Sequence, residues 1–425
     1  MKICLINNLY KPYHRGGAEN IVEMIARGSV KAGHDVFVIT TKPFTRKHEN
    51  TKTRKHENTK TRKHENTKLV PYRDTVTQSL SRTPIREHEI YYINSIYYNL
   101  NKLPKFLRLF WHLIDMFDLG GYLRVKKILR KEKPDVVMTH NLKGVGYLIP
   151  RAIKKLRIKH IHTLHDIQLL HPSGLMIYKE EKAIDSLFSK IYAWLCCLLF
   201  GNPDVVISPS GWLMKTHESR GFFAKSKIII LPNPVEAGEA DSNRAKRESD
   251  EIFRFFYAGQ IEEHKGVLFL INVFNGFKNN SELIIAGSGS KDSQARKLAA
   301  DNKNIKIVGR VGKSEVLDIM KKSDALIMPS LCYENSPSVI YEALAGGLPV
   351  IASRIGGVED LIRSAAGILF EPGDADDLMS KMRGAMESTE ELLKISRNGL
   401  EKIKQFSIDN YIRGLEKIAR NLTIF

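Results

Sequence analysis

The sequence predicts an α/β protein built from two Rossmann-like, doubly wound domains. The chain of 425 residues is long enough for two hydrophobic cores. Short apolar segments typical of buried strands alternate with helical patterns along most of it. The polar stretch from Glu236 to Asp250 interrupts this alternation and resembles an interdomain linker. We therefore expect a first domain over residues 1–234 and a second over 235–407, with a closing helical segment over 408–425 that completes the first domain.

The first domain opens with a strand pattern, Met1 to Asn7, and a polar loop that ends in Gly16 and Gly17. A helical apolar pattern and a second strand, Val36 to Thr40, follow. The two glycines would let the backbone approach a ligand closely. A plain turn explains them equally well, because the full G-x-G-x-x-G pattern is absent. Further strands are predicted at Asp135 to Thr139, His160 to Leu164, Val205 to Ser208 and Ile228 to Leu231.

The composition is that of a globular protein, with 43% hydrophobic and 27% charged residues. The first residues lack the apolar run of a signal peptide, and no stretch reaches the roughly 18 apolar residues of a spanning helix. The four cysteines show neither disulfide nor metal-ligand spacing. These features predict a cytoplasmic protein whose thiols are reduced and whose membrane contact, if any, is peripheral and on the inner face.

The net charge of +19 is concentrated in the first half of the chain. Three identical copies of Thr-Arg-Lys-His-Glu-Asn-Thr-Lys run from Thr45 to Lys68, and each carries +2. The repeat contains no apolar residue, so it cannot bury anything and is predicted to form a surface loop. It also lacks the interleaved aromatic residues of a nucleic-acid-binding arm, which argues against a nucleic-acid partner.

Residues 100–160 hold 15 Lys and Arg against 4 Asp and Glu, a balance of +11. Within them, apolar residues from Leu103 to Phe117 recur at helical spacing, with Lys102, Lys105 and Arg108 beside them. Such a basic amphipathic segment could dock on an anionic membrane surface. An ordinary helix that faces the core fits the same pattern, and the sequence leaves both interpretations open.

The second domain shows strand patterns at Phe253 to Ala258, Leu283 to Ala286, Ile305 to Val308, Ala325 to Met328 and Val350 to Ala352. Its most informative stretch runs from Ser330 to Gly357. Ser336 and Pro337 suit the N-cap and first position of a helix that would end near Gly346 and Gly347. Glu334 would then lie in the loop before the helix and Glu342 inside it.

The start of this helix is suited to a phosphate, because the free amides of Ser338 and Val339 would lie at the positive end of the helix dipole. The Glu342 carboxylate could accept hydrogen bonds from ribose hydroxyls, and Glu334 could reach hydroxyls on the other side of the phosphates. On pattern alone, an ordinary helix-to-strand junction with two solvated glutamates is an equal alternative.

Ligands of open α/β sheets bind beyond the carboxyl ends of the strands. The loops that follow predicted strands carry Gln260 and Lys265, then Gly287 and Gly289, and then Arg310 and Val311. Lys265 can offer a point charge to a phosphate. His165 follows a strand of the first domain and would face the same region if the two domains meet across a cleft.

With these motifs together, the sequence resembles a retaining glycosyltransferase of the GT-B fold, family four. In that fold two Rossmann-like domains face each other across a cleft and hold a sugar nucleotide. The resemblance covers nearly the whole chain apart from the repeat. It rests on Gly16-Gly17, Thr163-Leu-His165-Asp166, Pro232-Asn-Pro234, Gly259 to Gly266, Ile285-Ala-Gly287-Ser-Gly289, and Glu334 to Glu342 with Gly346-Gly347-Leu-Pro349.

The resemblance implies three catalytic residues. Glu334 would hold the donor sugar, Lys265 would neutralise the departing diphosphate, and His165 would contact the sugar near the reacting carbon. Glu342 would bind the ribose, and the remaining donor-binding residues would be Gly16, Gly17, Gln260, Arg310, Val311, Asn335, Ser336, Pro337, Ser338 and Val339. One departure is Gln260, where the family usually has an Arg that clamps the phosphates.

The resemblance further implies transfer to an acceptor hydroxyl with no enzyme nucleophile, no cofactor and no bound metal. Asp374-Ala-Asp376 is better explained as a helix cap than as a metal motif. A glycan or lipid-linked acceptor of cell-surface polysaccharide or glycolipid synthesis is the expected partner. Two alternatives remain open: a sugar-nucleotide epimerase of the same fold, and a basic binding module without enzymatic activity.

Overall fold

The structure is a computed structural model that describes residues 1–13, 16–43, 88–236, 252–365 and 367–422. The predicted repeat loop, Thr45 to Lys68, and the predicted linker beyond Glu236 lie outside the described residues. The described chain forms two compact units, one up to Ile161 and the other from His162 to Leu422. The residues of the candidate functional site lie in the second unit, whereas Gly16 and Gly17 lie in the first.

The first sheet has seven strands in the order β3-β2-β1-β4-β5-β6-β7, and its recorded pairs β1–β2, β1–β4, β2–β3 and β6–β7 are parallel. All six strands predicted before residue 235 are present, within a few residues at each end. The strands are β1 Lys2–Ile6, β2 Asp35–Pro43, β3 Glu89–Ser95, β4 Val136–Thr139, β5 Lys159–Thr163, β6 Val205–Ser208 and β7 Lys227–Ile230.

Strand β3 was not predicted from the sequence. Among the described residues it pairs only with β2, at the end of the sheet, and its residues alternate between buried and more exposed positions. An edge strand with a polar face carries a weaker apolar signal than a central strand that is buried on both faces.

The helices between these strands begin with α1, which follows β1 and a glycine-containing loop, so the predicted strand, loop, helix and strand are confirmed. Asp118 caps α3 by accepting a hydrogen bond from the Gly121 amide at 2.8 Å. The helices are α1 Gly17–Lys31, α2 Lys105–Met116, α3 Leu119–Glu132, α4 Ile149–Lys155, α5 Leu187–Phe200 and α6 Gly211–Glu218.

The second sheet has six strands in the order β10-β9-β8-β11-β12-β13, and every pair is parallel. Five strands match the predictions closely, whereas β13 has only three residues and was missed. The chain order reverses at β8, whose neighbours are β9 and β11. The carboxyl ends of β8 and β11 therefore mark a topological switch point. The strands are β8 Phe253–Ala258, β9 Ser281–Ala286, β10 Ile305–Gly309, β11 Ala325–Met328, β12 Val350–Ser353 and β13 Ile368–Phe370.

Helices cover this sheet and bury two apolar clusters against it. Helix α10 contributes Ile340, Tyr341 and Leu344 to one of them, and half-buried Val339 packs against the same cluster. Glu342 of this helix is half-buried. The helices are α7 Val267–Gly276, α8 Asp292–Ala299, α9 Lys313–Lys321, α10 Ser338–Ala345, α11 Gly357–Ala365, α12 Ala375–Glu387, α13 Thr389–Lys404 and α14 Ile408–Arg420.

The first sheet ends at Ile230 and the second begins at Phe253. Helix α14 occupies the region of the predicted closing helix, although the last three residues lie outside the described part. The predicted domain boundary after residue 234 and the return of the closing helix to the first domain stay predictions. Within the described ranges, no helix combines the length and apolar character needed to cross a membrane.

Candidate functional site

The loops that follow β8 and β11 lie side by side at the switch point of the second sheet. The Leu331 amide donates to the His264 carbonyl at 2.9 Å. Gly266 has a φ of +72°, and a Cβ at this position would lie 1.7 Å from the Pro329 carbonyl oxygen. Only glycine permits this approach of two backbones, so Gly266 allows Lys265 to lie close to the β11 loop.

Lys265 and Glu334 form an ion pair across these two loops. Lys265 Nζ lies 2.6 Å from Glu334 Oε1, and the side chains are only 25% and 16% exposed. Ser330 Oγ donates to the same oxygen at 3.0 Å, and Cys332 Sγ lies 3.8 Å from it. Within the described chain, every recorded contact of this carboxylate falls on Oε1, so Oε2 is the oxygen available to a ligand hydroxyl.

Burial and the ion pair act in opposite directions on Lys265. Burial lowers the pKa of its ammonium group, but the Glu334 carboxylate outweighs burial and the pKa is raised. Lys265 is therefore fully charged at neutral pH. Burial and the nearby Glu334 raise the pKa of Cys332 to about 12, so this thiol stays protonated and is not a nucleophile.

Helix α10 begins one residue later than the sequence predicts. Its N-cap is Pro337, which offers no capping side chain, and Ser338 and Val339 are its first two residues. The prediction that Ser336 caps the helix is wrong, because Ser336 Oγ instead lies 2.7 Å from the Tyr341 hydroxyl in a hydrogen bond. The first amides of α10 still have no partner within the helix, and the predicted end at Gly346 and Gly347 is confirmed.

Glu342 lies within α10, as predicted, and its side chain is half-buried. Burial raises the pKa of its carboxyl, Lys313 lowers it, and Glu236 raises it again. Lys313 is itself paired with Glu236, whose Oε2 lies 3.1 Å from its Nζ. A carboxylate in this position can accept hydrogen bonds, but its ionised form is less favoured than that of an exposed glutamate.

His165 and Asn335 are neighbours in the second unit. Asn335 Nδ2 donates to the His165 carbonyl at 3.1 Å. Burial lowers the pKa of the His165 imidazole to about 4, so the ring is neutral at neutral pH. His165 can therefore offer a hydrogen bond or an apolar contact to a ligand, but not a positive charge.

The other predicted residues of this unit lie in the loops that follow β8 and β10. The Gln260 side chain is exposed, while its carbonyl accepts a hydrogen bond from the Tyr257 hydroxyl at 2.6 Å. Arg310 is exposed after β10, and Val311 is half-buried against one apolar cluster. The strand order β10-β9-β8-β11 places β10 at the end of the sheet, two strands away from β8.

Gly16 and Gly17 lie at the start of α1 in the first unit. Gly16 is the N-cap residue, and its φ of −147° is an extended conformation that any residue can adopt. A Cβ at Gly16 would lie 3.0 Å from Glu19 Oε2, a buried oxygen with no recorded hydrogen-bond partner in the described part of the chain. The role of the two glycines in admitting phosphates stays a prediction.

The interpretation of Asp374 as a helix cap is confirmed. Its carboxylate accepts a hydrogen bond from the Asp377 amide at 3.0 Å, and Asp374 is the N-cap of α12. The described residues contain no group of three or more His, Cys, Asp or Glu side chains arranged to hold a metal ion.

Sequence reasoning missed several residues that shape this site. Ser330 bonds Glu334, and Glu262 accepts hydrogen bonds from the Ser290 amide and hydroxyl at 2.7 and 2.5 Å. Gly356, with a φ of +60°, would place a Cβ 2.4 Å from the Glu334 carbonyl oxygen. The Gly356-Gly357 pair directly after β12 was a visible signal of such a close approach, whereas single serines and glutamates carry no such signal.

Two family comparisons cover most of the chain. The family Glycosyltransferase Family 4 matches residues 15–239, and the family Glycosyl transferases group 1 matches residues 239–402. The chain belongs to glycosyltransferase family 4. In this family 4 protein, the match to Glycosyl transferases group 1 includes the candidate site residues from Gln260 to Glu342.

Known proteins with related sequences include an uncharacterized 42.6 kDa protein in the cps region of Klebsiella pneumoniae. It is 27% identical over 93% of this chain and 99% of its own length. The Escherichia coli UDP-Gal:alpha-D-GlcNAc-diphosphoundecaprenol alpha-1,3-galactosyltransferase is 24% identical over 62% of this chain and 70% of its own length.

Among solved structures, Anabaena HepE in complex with UDP aligns with a TM-score of 0.67 at 16% identity. The alignment covers 99% of this chain and 100% of that one. At this identity the likeness concerns the fold alone. It confirms the predicted GT-B architecture of this family 4 glycosyltransferase.

Proposed function

We propose that this protein is a retaining glycosyltransferase that moves a sugar from a nucleoside diphosphate sugar to an acceptor hydroxyl in cell-surface polysaccharide or glycolipid synthesis. The observation that carries the proposal is the Lys265–Glu334 ion pair, 2.6 Å long, beside the start of α10. The site combines a fixed positive charge, free helix amides and two acidic side chains, which suits a sugar diphosphate. The Klebsiella relative in a cps region and the galactosyltransferase that acts on a diphosphoundecaprenol substrate support the substrate class.

Each group has a distinct role in the proposed complex. The amides of Ser338 and Val339 and the Lys265 ammonium group would bind the diphosphate. Glu342 would accept the ribose hydroxyls, and Glu334 Oε2 would accept a hydroxyl of the donor sugar. Arg310 and Val311 would flank the base. The neutral imidazole of His165 would lie against the donor sugar without repelling positive charge that develops at its reacting carbon.

In the proposed reaction the bond between the sugar carbon and the phosphate oxygen breaks, and a bond from that carbon to the acceptor oxygen forms on the same face. The acceptor proton passes to the departing phosphate, and the nucleoside diphosphate leaves. Lys265 and the α10 amides would stabilise the negative charge that grows on the phosphate, while positioning supplies the remaining acceleration. Because these groups already neutralise the phosphate, we propose that turnover needs no divalent metal.

The test is acceptor-dependent release of nucleoside diphosphate by the purified full-length protein, with UDP-sugars and GDP-sugars as donors and polyprenyl-diphosphate sugars as acceptors. Product NMR would give the anomeric configuration. We expect release that requires acceptor, an α product from an α donor, and the same rate after EDTA treatment. Conversion of the sugar nucleotide without acceptor would instead establish the epimerase alternative, and a β product from an α donor would refute retention.

We also propose that α2 and α3 dock on an anionic membrane surface. Seven large apolar side chains on these helices and at the end of α2 are 38 to 65% exposed, a set we name the α2–α3 apolar patch: Leu107, Phe110, Leu113, Ile114, Phe117, Leu119 and Leu123. A monomeric protein rarely exposes such a run at helical spacing, and a bilayer surface can accept it.

The charges near the α2–α3 apolar patch favour anionic lipid as its occupant. Asp115 is buried and accepts from the Gly144 amide, Asp118 caps α3, and Glu132 pairs with Lys2 and Lys131. These three carboxylates therefore have partners. The exposed basic residues of α3 include Arg124, Lys127 and Arg130.

Flotation with liposomes of phosphatidylglycerol and phosphatidylcholine tests this docking. We expect the wild-type protein to float with anionic vesicles at low salt and to float less as salt rises. The variant Phe110→Glu/Ile114→Glu should stay at the bottom, whereas Ile252→Glu, at an exposed apolar residue before β8, should float like the wild type. Absence of flotation at low salt, or equal flotation of the patch variant, would refute the docking.

A further inference from the structure

The side chain of Asn335 connects two segments that carry proposed site residues. Its Nδ2 donates to the His165 carbonyl at 3.1 Å, and its Oδ1 accepts from Ser210 Oγ at 2.7 Å. Asn335 is only 9% exposed, so both ends of its amide are fixed inside the protein. Glu334 precedes it directly in the chain, and thus one buried side chain links the Glu334 loop to His165.

The hydrogen bonds allow only one orientation of this amide. The His165 carbonyl can only accept, so the Asn335 nitrogen must face it. The Asn335 oxygen then faces Ser210, whose hydroxyl donates to it while accepting from the Leu213 amide at 3.2 Å as the N-cap of α6. Aspartate has nearly the same shape but cannot donate, so it would bring a carboxylate oxygen against a carbonyl oxygen.

The backbone around Asn335 is fixed from the opposite side. The Gly357 amide donates to the Glu334 carbonyl at 2.8 Å, and a Cβ at Gly357 would lie 2.0 Å from the Asn335 carbonyl oxygen. The loop cannot shift away without losing these contacts. A change of the Asn335 side chain therefore acts on its two side-chain partners, the His165 carbonyl and the Ser210 hydroxyl.

We propose that Asn335 is a positioning residue that sets His165 relative to Glu334, acting through its side chain and not through contact with the donor. This inference rests on the proposed function, in which both neighbours contact the donor sugar. It replaces the simpler expectation that Asn335 contributes only backbone groups to the donor. It predicts that loss of the Asn335 side-chain hydrogen bonds slows sugar transfer, while nucleotide binding by Lys265, Glu342 and α10 persists.

The test compares Asn335→Asp with Asn275→Asp. Asn275 makes the same kind of bond, from its Nδ2 to the Leu298 carbonyl at 2.9 Å, but on the exposed surface of α7. We expect kcat per folded molecule to fall about 10- to 100-fold in Asn335→Asp, with the nucleoside diphosphate Kd within about threefold of the wild type. Asn275→Asp should retain the wild-type kcat.

The double variant with His165→Ala decides whether Asn335 acts through His165. If it does, adding Asn335→Asp to His165→Ala should lower kcat by less than about threefold, because the group being positioned is already absent. Ser210→Ala provides a second route if Asn335→Asp folds poorly, and it should show the same non-additivity. Equal loss of kcat with and without His165, or a matching loss in Asn275→Asp, would overturn the proposal.

A failure of the proposed function can be told apart from a failure of this inference. If the wild-type protein transfers no sugar, the function fails, and NMR of the ring-labelled histidines then tests positioning alone. Signals of the His165 ring should shift in Asn335→Asp and remain in place in Asn275→Asp. His165 signals that are unchanged in Asn335→Asp would refute positioning whether or not the enzyme is active.

Discussion

Lys265 Nζ and Glu334 Oε1 lie 2.6 Å apart, although 69 residues separate them in the chain. The contact exists because β8 and β11 are neighbours and because Gly266 lets their loops touch. The Glu334 carboxylate therefore holds the half-buried ammonium group of Lys265 in position even when no ligand is bound. A diphosphate would therefore meet a charge that needs little reorganisation.

Removal of either charge should impair catalysis strongly. We expect Lys265→Ala and Glu334→Ala each to lower kcat/KM by about 100-fold or more, because a preorganised charge is lost and its partner is left half-buried and unpaired. The measurement is steady-state release of nucleoside diphosphate, corrected for the folded fraction. Lys278→Ala, an exposed lysine after α7, is the matched control and should behave as the wild type. Unchanged turnover in both site variants would contradict the site assignment.

Glu342 should make donor binding depend on pH. Burial raises the pKa of its carboxyl, and the ionised form is the one that accepts hydrogen bonds from ribose hydroxyls. The nucleotide Kd should therefore rise as pH falls below neutral, and it should begin to rise at a higher pH than an exposed glutamate would produce. Glu342→Gln should raise the Kd about tenfold at neutral pH and bind with a flatter pH profile. Calorimetric titration at several pH values checks this, and an identical pH profile in the Gln variant would contradict it.

Asp115 should make the free energy of unfolding depend on pH. Burial raises the pKa of its carboxyl to about 7, above the value of an exposed aspartate, while two bonds from the Gly144 amide and the nearby Lys143 oppose the rise. Because the pKa of Asp115 is higher in the folded state than in the unfolded state, its contribution to the free energy of unfolding is fully present at low pH. It is lost as pH rises from about 4 through about 7.

The variant Asp115→Asn tests this dependence by urea unfolding at several pH values. Its stability relative to the wild type should increase with pH across that window and level off above it, because asparagine has no charge to bury. Asp318→Asn, at an exposed position of α9, is the matched control. A constant difference between Asp115→Asn and the wild type at every pH would refute the assignment.

Ser336 distinguishes the observed start of α10 from the one expected from sequence. Since Ser336 bonds the Tyr341 hydroxyl, Ser336→Ala should cost about 1 kcal/mol of stability, and the loss should couple with Tyr341→Phe. In a double-mutant cycle, Ser336→Ala should add little to Tyr341→Phe. An N-capping serine would instead cost the same in both backgrounds, and that result would contradict the observed contact.

Most of the fold could be predicted from the sequence, because parallel, buried strands appear in it as continuous apolar segments. Eleven of the thirteen strands were predicted within a few residues. The two missed strands, β3 and β13, lie at sheet ends, where polar residues or short length weaken the pattern. The N-cap of α10 was misplaced because serine and proline both favour helix starts, and only the tertiary contact with Tyr341 decides between them.

For the site, strand ends and the helix start made Lys265, Glu334 and Glu342 candidates, and the resemblance to the family supplied their roles, which stay predictions. The hydrogen bonds that link Asn335 to His165 and Ser210 could not be predicted. Both partners are distant in sequence, and a bond to a backbone carbonyl leaves no pattern in the sequence. The Gln260 side chain is exposed, and the loss of a phosphate clamp at this position stays a prediction.

The central claim is that a sugar nucleotide binds at the β8–β11 switch point through Lys265 and Glu342. The most direct measurement is thermal unfolding of the wild type, Lys265→Ala and Glu342→Gln with a panel of UDP-, GDP-, ADP- and dTDP-sugars. The account predicts that one nucleotide class stabilises the wild type, by about 4 kcal/mol at a thousandfold excess over Kd, and stabilises both variants clearly less. Stabilisation by no sugar nucleotide, or equal stabilisation of all three proteins, would contradict it.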